Sequence, residues 1–331
     1  MNTFRPTGVD KPLRLAFLGC GKITRKHSRT IEKAKLPVLR YFASRSLEKA
    51  NTYNSELRGD GFFGTYESAI SSPEVDAVFI ATPPSSHLDL ALKALDAGKH
   101  VIVEKPPFFT LADFDAVATA RQKHDCQVIV AENYFYKPLR SAVLDVVQQE
   151  LLGDMLFINI NAMKQQHNAD WREDEAMSGG GALFEGGIHW VNFLANIGIG
   201  VTTVRGIQPH PNGGLERSMQ VIFNYENGAV GNLFYSWEVP TLFKGLRISR
   251  IFGREGSLTF ESNGIFMVVR GRKKRLVFPG FADISGFTGM FTDFTAALRT
   301  GTAPKLTFDI ARRDVQLIRQ AYATAELKQT D

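Results

Sequence analysis

In the first part of the chain, short apolar runs alternate with stretches whose apolar residues recur at helical spacing. The runs are Leu13 to Leu18, Val38 to Ala43, Ala77 to Ala81, Val101 to Val103 and Val128 to Ala131. Each is the length of a strand, and the amphipathic segments between them, such as Leu88 to Ala97 and Leu111 to Lys123, supply crossover helices. This alternation predicts an α/β domain with a doubly wound parallel sheet.

After about Leu139 the pattern changes. One helix is expected over Arg140 to Leu151, followed by longer runs rich in aromatic and β-branched residues: Met155 to Ala162, Ser218 to Tyr225, Ala229 to Trp237 and Arg247 to Phe252. Turn pairs Asn227-Gly228 and Asn263-Gly264 punctuate them. The expectation is a second, α+β domain with a large, mostly antiparallel open sheet. A terminal helix from Phe308 to Glu326 would pack back on the chain. The boundary is placed between residues 138 and 139, giving domains 1–138 and 139–331.

A length of 331 residues fits two domains, and 44% hydrophobic with 22% charged residues is an ordinary globular composition. Cys20 and Cys126 have no paired spacing, so neither a disulfide framework nor a zinc site is expected, and a reducing cytoplasm suits the chain. No metal is required by any motif. The first residues lack the apolar core of a signal peptide, and no run is apolar enough to span a bilayer. A net charge of +5 raises nucleic acid as a partner, but the one dense basic run, Arg270 to Arg275, is short and flanked by strand-like segments. It reads as a solvated hairpin tip. Neither nucleic acid nor membrane is expected as a partner.

The strand Leu13 to Leu18 runs directly into Gly19-Cys20-Gly21-Lys22-Ile23-Thr24 and a following helix. Gly19 permits a tight turn, and Gly21 lets a pyrophosphate approach the helix N-terminus, where unpaired N–H groups and the macrodipole favour an anion. Lys22 and Ile23 continue this cofactor-binding turn. Thr24 replaces the usual third glycine, accommodated either by a wider helix-to-strand contact or by a hydroxyl near phosphate. The second strand ends Phe42-Ala43-Ser44-Arg45-Ser46, with no carboxylate for a ribose 2′-hydroxyl. Ser44 and Arg45 offer donors to a 2′-phosphate instead, so NADP is favoured over NAD.

The segment Gly98 to Pro106, containing Glu104-Lys105-Pro106, resembles the signature of the glucose-fructose oxidoreductase, inositol dehydrogenase and rhizopine-catabolism (Gfo/Idh/MocA) family. The resemblance extends to Gly19 through Ile23, to Thr82-Pro83-Pro84 with His87, to Trp171-Arg172, and to Gly179-Gly180-Gly181 running to His189. It implies a Rossmann domain, an open-sheet domain often used for oligomerisation, an active site between them, and a sugar-like or cyclitol-like substrate. A homodimer or homotetramer through the second sheet follows from the same resemblance.

Lys105 leaves an apolar strand and precedes Pro106, which favours an extended backbone and places its ammonium at the carboxyl edge of the sheet. It is the candidate to polarise a substrate oxygen and contact the nicotinamide ribose. By the resemblance, His189 moves the hydroxyl proton, a role that suits an ordinary imidazole. Glu185 stands four residues before it on the same helix face, where the family usually has aspartate. Gly186 and Gly187 leave room for the longer arm to bend back, so Glu185 is read as an orienting or relay group. Glu104, Thr82 and Pro83 are expected beside the cofactor. Trp171-Arg172 is expected to close over the cofactor and face the substrate. Tyr134 and Lys137 are candidates for substrate contact or for packing, and His87 either approaches the nicotinamide or belongs to a helix N-terminus.

The leading expectation is reversible hydride transfer between a nicotinamide and a secondary alcohol or ketone. Two rivals stand beside it: a lyase or glycosidase using NAD transiently, and a non-catalytic NADP-binding regulator.

Overall fold

The computed structural model describes residues 4–168, 170–211, 213–241 and 246–326. It divides into two compact units, 1–132 with 287–312, and 133–286 with 313–331. The division falls six residues before the boundary expected at 138, and a later segment, 287–312, returns to the first unit.

The first unit is built on a six-stranded sheet of β1 (Leu13–Leu18), β2 (Val38–Ala43), β3 (Gly61–Phe63), β4 (Ala77–Ile80), β5 (His100–Glu104) and β6 (Val128–Ala131). Their order is β3-β2-β1-β4-β5-β6 with every pair parallel. This is the doubly wound arrangement anticipated from the apolar runs, whose strands are buried almost throughout. Strand order reverses between β1 and β4, and the crevice at the carboxyl ends of such a pair is where this fold binds ligands. The intervening helices are α1 (Lys22–Lys33), α2 (Leu47–Glu56), α3 (Tyr66–Ser71), α4 (His87–Asp96) and α5 (Leu111–Lys123). Helix α5 opens with a reciprocal cap between Thr110 and Asp113.

Later in the chain, α9 (Phe287–Thr300) packs its aromatic face into this unit. Phe291 meets Phe79 of β4 at 5.9 Å between ring centroids. The Gln127 amide donates to the carbonyls of Ala297 and Thr302 at 3.2 and 2.8 Å, tying β6's approach to the end of α9.

The second unit contains α6 (Pro138–Gln148), β7 (Met155–Met163), α7 (Glu175–Ser178), α8 (Ile188–Ala195) and β8 (Val201–Ile207). Strands β9 (Ser218–Tyr225), β10 (Val230–Ser236), β11 (Ile248–Gly253), β12 (Gly256–Glu261), β13 (Met267–Arg270) and β14 (Lys274–Val277) complete its sheet, and α10 (Phe308–Glu326) belongs to this unit from Arg313 onward. The eight strands run β14-β13-β12-β11-β7-β10-β9-β8, antiparallel except for the β7–β10 pair. In β7 and β9 buried and solvent-facing residues alternate, so one face packs and the other is open. The basic run forms the expected hairpin, with Arg270 opposite Lys274. Among the described residues no helix is long and apolar enough to cross a membrane.

Candidate functional site

In the first unit the turn after β1 is shaped by its glycines. Gly19 has a φ of +109°, a region that side chains disfavour, and a Cβ there would stand 2.8 Å from the Ala81 carbonyl oxygen at the end of β4. Gly21 caps α1 in extended backbone, and a Cβ on it would meet nothing within 4 Å. No side chain caps α1 among the described residues, and its first turn carries no acidic group. The N–H groups of that turn thus lack a capping side chain, and the positive end of the helix dipole lies with them beside an unobstructed Gly21, which suits the pyrophosphate of a dinucleotide. Lys22 is exposed and Ile23 half-buried on this first turn.

Thr24 is fully buried, and its hydroxyl donates to the Gly19 carbonyl at 2.6 Å. The hydroxyl thus locks the turn from inside. At the end of β2, Arg45 is exposed, while the buried Ser44 hydroxyl accepts the Ser46 N–H at 3.2 Å. Ser46 in turn caps α2 by accepting from Lys49. The donors expected for a 2′-phosphate are therefore grouped at one strand exit.

At the end of β4, Thr82 and Pro83 are half-buried, and the Ser86 hydroxyl donates to Thr82 Oγ1 at 2.7 Å. His87 begins α4 and is fully buried. Its Nε2 lies 3.0 Å from the Thr82 carbonyl and its Nδ1 lies 3.1 Å from the carbonyls of Pro106 and Pro107. Burial lowers its pKa against these carbonyls, which favour the charged ring. His87 therefore braces the β4 turn against the segment after Lys105.

Lys105 is half-buried and follows β5 directly. The preceding Glu104 is buried; its Oε1 is paired with His27 Nε2, and its Oε2 accepts the Lys105 N–H at 3.2 Å. Burial works to raise the Glu104 pKa, but His27 and Lys105 together hold it below the usual carboxylate range.

In the second unit, the residues expected at the substrate form a compact aromatic and cationic cluster. Tyr134 stacks on His189 with centroids 4.2 Å apart and planes 11° apart. Trp190 meets the Tyr134 ring edge-on at 5.4 Å, and the Lys137 ammonium sits 4.3 Å over the same ring. Tyr134 and Lys137 are brought beside His189 because residues Asn133–Tyr136 form a tight turn that Pro138 then converts into α6.

Glu185 lies in a π-helical turn, Leu183–Gly187, that leads into α8. Such wide turns are frequent at functional sites. Its Oε1 accepts from Arg172 Nε at 3.0 Å, while the Arg172 guanidinium covers the Trp171 ring at 4.3 Å. Trp171 and Arg172 are thus joined to Glu185 within one unit. The space at Gly186 is taken by Tyr235, whose hydroxyl a Cβ would overlap, and that at Gly187 by Leu183. Room beside these glycines serves packing partners rather than a folded-back Glu185 arm. Burial and then the Glu185 charge raise the Tyr235 pKa.

The segment carrying Glu185 and His189 is held by groups that sequence reasoning did not single out. Glu216 Oε1 accepts the Leu183 N–H at 2.5 Å, and a side chain on Gly181 would collide with this carboxylate. The Phe184 N–H donates to the Tyr322 hydroxyl at 3.2 Å, and Tyr322 is hydrogen-bonded to Glu216. Asn192 of α8 donates to Asp314 of α10 at 2.6 Å. His27 was likewise missed, although Thr24, His27, Ser28 and Ile31 mark the buried face of α1 at helical spacing.

Two family models match the chain: the oxidoreductase family with NAD-binding Rossmann fold over residues 13–132, and the GFO/IDH/MocA C-terminal domain over residues 141–259. The chain belongs to the Gfo/Idh/MocA family of oxidoreductases. It is similar to dTDP-3,4-didehydro-2,6-dideoxy-α-D-glucose 3-reductase of Saccharopolyspora spinosa, at 29% identity over 69% of this chain and 70% of that one. The NADP-dependent D-xylose 1-dehydrogenase of Haloarcula marismortui is 26% identical over 56% of this chain, which spans about half (54%) of that relative's length. Levoglucosan dehydrogenase, solved with NADH and levoglucosan, shares the fold with a TM-score of 0.84 at 20% identity, covering 96% of this chain and 98% of that chain.

Burial pushes the Glu216 pKa up to about 7. Between the ordinary carboxylate range and that value the native state holds a proton that the unfolded chain releases, so this group costs stability as pH rises. Across that window the loss is about 3 kcal/mol. Glu216→Gln, which still accepts the Leu183 N–H, is expected to flatten the fall in melting temperature between pH 5 and pH 8. Equal falls in variant and wild type would contradict this.

Proposed function

We propose that this chain is an NAD(P)-dependent dehydrogenase or reductase that interconverts a secondary alcohol and a ketone on a sugar, sugar derivative or cyclitol. The observation that carries the reading is the Tyr134–His189 stack flanked by Lys137, which gathers an imidazole, a phenol and an ammonium, groups able to move a proton and to bind hydroxyls. The activities named for the relatives support the same substrate class.

Bound nicotinamide dinucleotide supplies the hydride acceptor or donor. For alcohol oxidation, the carbinol C–H leaves as hydride, the O–H proton passes to His189, and the C–O bond becomes a carbonyl. Lys105 donates to the substrate oxygen, stabilising negative charge on it as the proton departs. Glu185, engaged by Arg172, orients the site, and Trp171 presents its ring beside that pair. NADP is the favoured cofactor because Arg45 and Ser44 stand where an NAD-specific domain carries an acid.

The open face of the eight-stranded sheet, with Phe157 52% and Phe234 39% exposed, supports pairing with a second copy as a homodimer or homotetramer. The buried thiols Cys20 and Cys126 suit a reducing compartment such as the cytoplasm.

Two measurements test the assignment. Lys105→Ala is expected to lower turnover on a reactive sugar or cyclitol by about 10²- to 10⁴-fold while dinucleotide affinity stays near wild type. An unchanged rate removes Lys105 from the chemistry. Arg45→Ala is expected to weaken NADPH binding by about 10- to 150-fold and to leave NADH binding little altered; equal wild-type affinities for the two dinucleotides would defeat the NADP preference.

A further inference from the structure

The buried face of α1 delivers one histidine to one carboxylate. His27 is fully buried, and its ring lies between Phe79, Phe287 and Phe291, with centroids 4.9, 5.3 and 5.1 Å away. Its Nδ1 has no hydrogen-bond partner among the described residues, and its Nε2 is paired with Glu104 Oε1. Glu104 in turn is 8% exposed and is the residue immediately before Lys105. A buried carboxylate must be satisfied by donors or by a counter-charge, because its desolvation is otherwise too costly to sustain.

We propose that His27 is a positioning residue: by donating to Glu104 it serves as that carboxylate's main partner, so that the neighbouring Lys105 ammonium is left only a weaker share of its charge and is not drawn in as its principal counter-ion. This inference deepens the proposed function, since it rests on Lys105 acting on the substrate oxygen.

The charges that face Glu104 are few and identifiable. Lys105 and His27 both act on its carboxylate, and its field in turn reaches Lys26 of α1 and His87 of α4. The Lys26 ammonium lies 4.1 Å over the Phe287 ring. His87 is held by three backbone carbonyls. Neither is placed to replace the His27 donor. Without His27, the Glu104 carboxylate keeps the Lys105 backbone N–H and lacks its side-chain donor. The Lys105 ammonium is then the nearest cation along the chain that can compensate it. Electrostatic coupling of that kind raises the lysine pKa and draws the ammonium toward Glu104.

The same pair links the middle of α1 to the end of β5. α1 begins at the glycine turn and β5 ends at Glu104, one residue before Lys105, and His27–Glu104 is a direct side-chain tie between the two elements. The anion seat and the proposed catalytic lysine are therefore registered to each other by a buried polar contact.

The test reads the lysine directly, without cofactor or substrate. The rate of Lys105 acylation by a small acyl reagent is followed against pH by peptide mass spectrometry in wild type, His27→Leu, His27→Gln and His27→Leu/Glu104→Gln. In His27→Leu the Lys105 titration is expected to move up by about one pH unit, a tenfold change in protonation equilibrium. Removing the orphaned carboxylate in the double variant returns it to the wild-type midpoint or below, and His27→Gln, which keeps an N–H donor, stays near wild type. The kcat/KM of the loaded enzyme follows the same order, and recovery in the double variant separates charge from packing. A Lys105 titration that does not move in folded His27→Leu overturns the proposal. Should His27→Leu not fold, Glu104→Gln alone decides, because the proposal requires the Lys105 midpoint to fall when the carboxylate is neutralised, and an unmoved midpoint overturns it. A shifted titration without dehydrogenase activity in wild type would instead leave the electrostatic link standing and reject the functional reading.

Discussion

The first N–H groups of α1 emerge from a glycine turn with no capping side chain among the described residues. Much of the first unit is arranged around that deficit. Gly19 adopts a φ of +109° so that the chain can reverse against the end of β4, and Thr24 fixes the reversal through the Gly19 carbonyl. Gly21 keeps the approach open. A helix start without a capping side chain gives up stability, though with glycine at the cap the loss is only a few tenths of a kcal/mol, roughly, against about 1 kcal/mol for alanine. Retaining glycine at that position is intelligible as the cost of leaving the N–H groups for a bound anion.

The candidate catalytic groups are held by a repeated device, a buried carboxylate given its own donor. Glu104 has His27, Glu185 has Arg172, and Glu216 has the Leu183 N–H and Tyr322. In each case the acid stands within four residues of a residue proposed to act, or caps the turn that bears one. Glu104 adjoins Lys105; Glu185 precedes His189; Glu216 secures the start of the segment that carries both Glu185 and His189. Desolvated acids with designated donors fix geometry more firmly than exposed pairs, because breaking one leaves a buried charge uncompensated. The outcome differs with the donor set. Glu104 is held below the carboxylate range by its hydrogen bond to His27 and then by the charges beside it, whereas burial dominates at Glu216 and raises it.

Sequence periodicity located the elements with strong local signals. β1, β2, β6, β9, α5 and α10 begin and end where their apolar patterns do, because these segments are buried on a regular face. Short or edge elements escaped it. β3 has three residues, too few for an alternation to read, and β14, at a sheet edge with half its side chains exposed, was expected only as a strand-like flank of the basic hairpin tip. Helix α9 was missed as well, and with it the return of 287–312 to the first unit, since its partners lie far away in sequence. The same limit explains the site. Gly19, Gly21, Lys105 and His189 are legible because motifs carry them. His27, Tyr235, Glu216 and Tyr322 became apparent only through tertiary contacts, and their side chains are ordinary in any linear window. The room beside Gly186 was read as freedom for Glu185, whereas the fold fills it with Tyr235.

The claim on which the account turns is that the uncapped start of α1 is a dinucleotide seat. Gly21→Asp tests it most directly. Gly21 already has the extended backbone that an aspartate cap adopts, with open space for the side chain, so the new carboxylate can occupy the N–H groups itself. Fluorescence titration of NADPH and NADH, read beside the melting temperature, should show binding in wild type and its loss in a variant that is at least as stable. Undiminished binding in that variant, or no binding of either dinucleotide to the wild-type protein, would contradict the account.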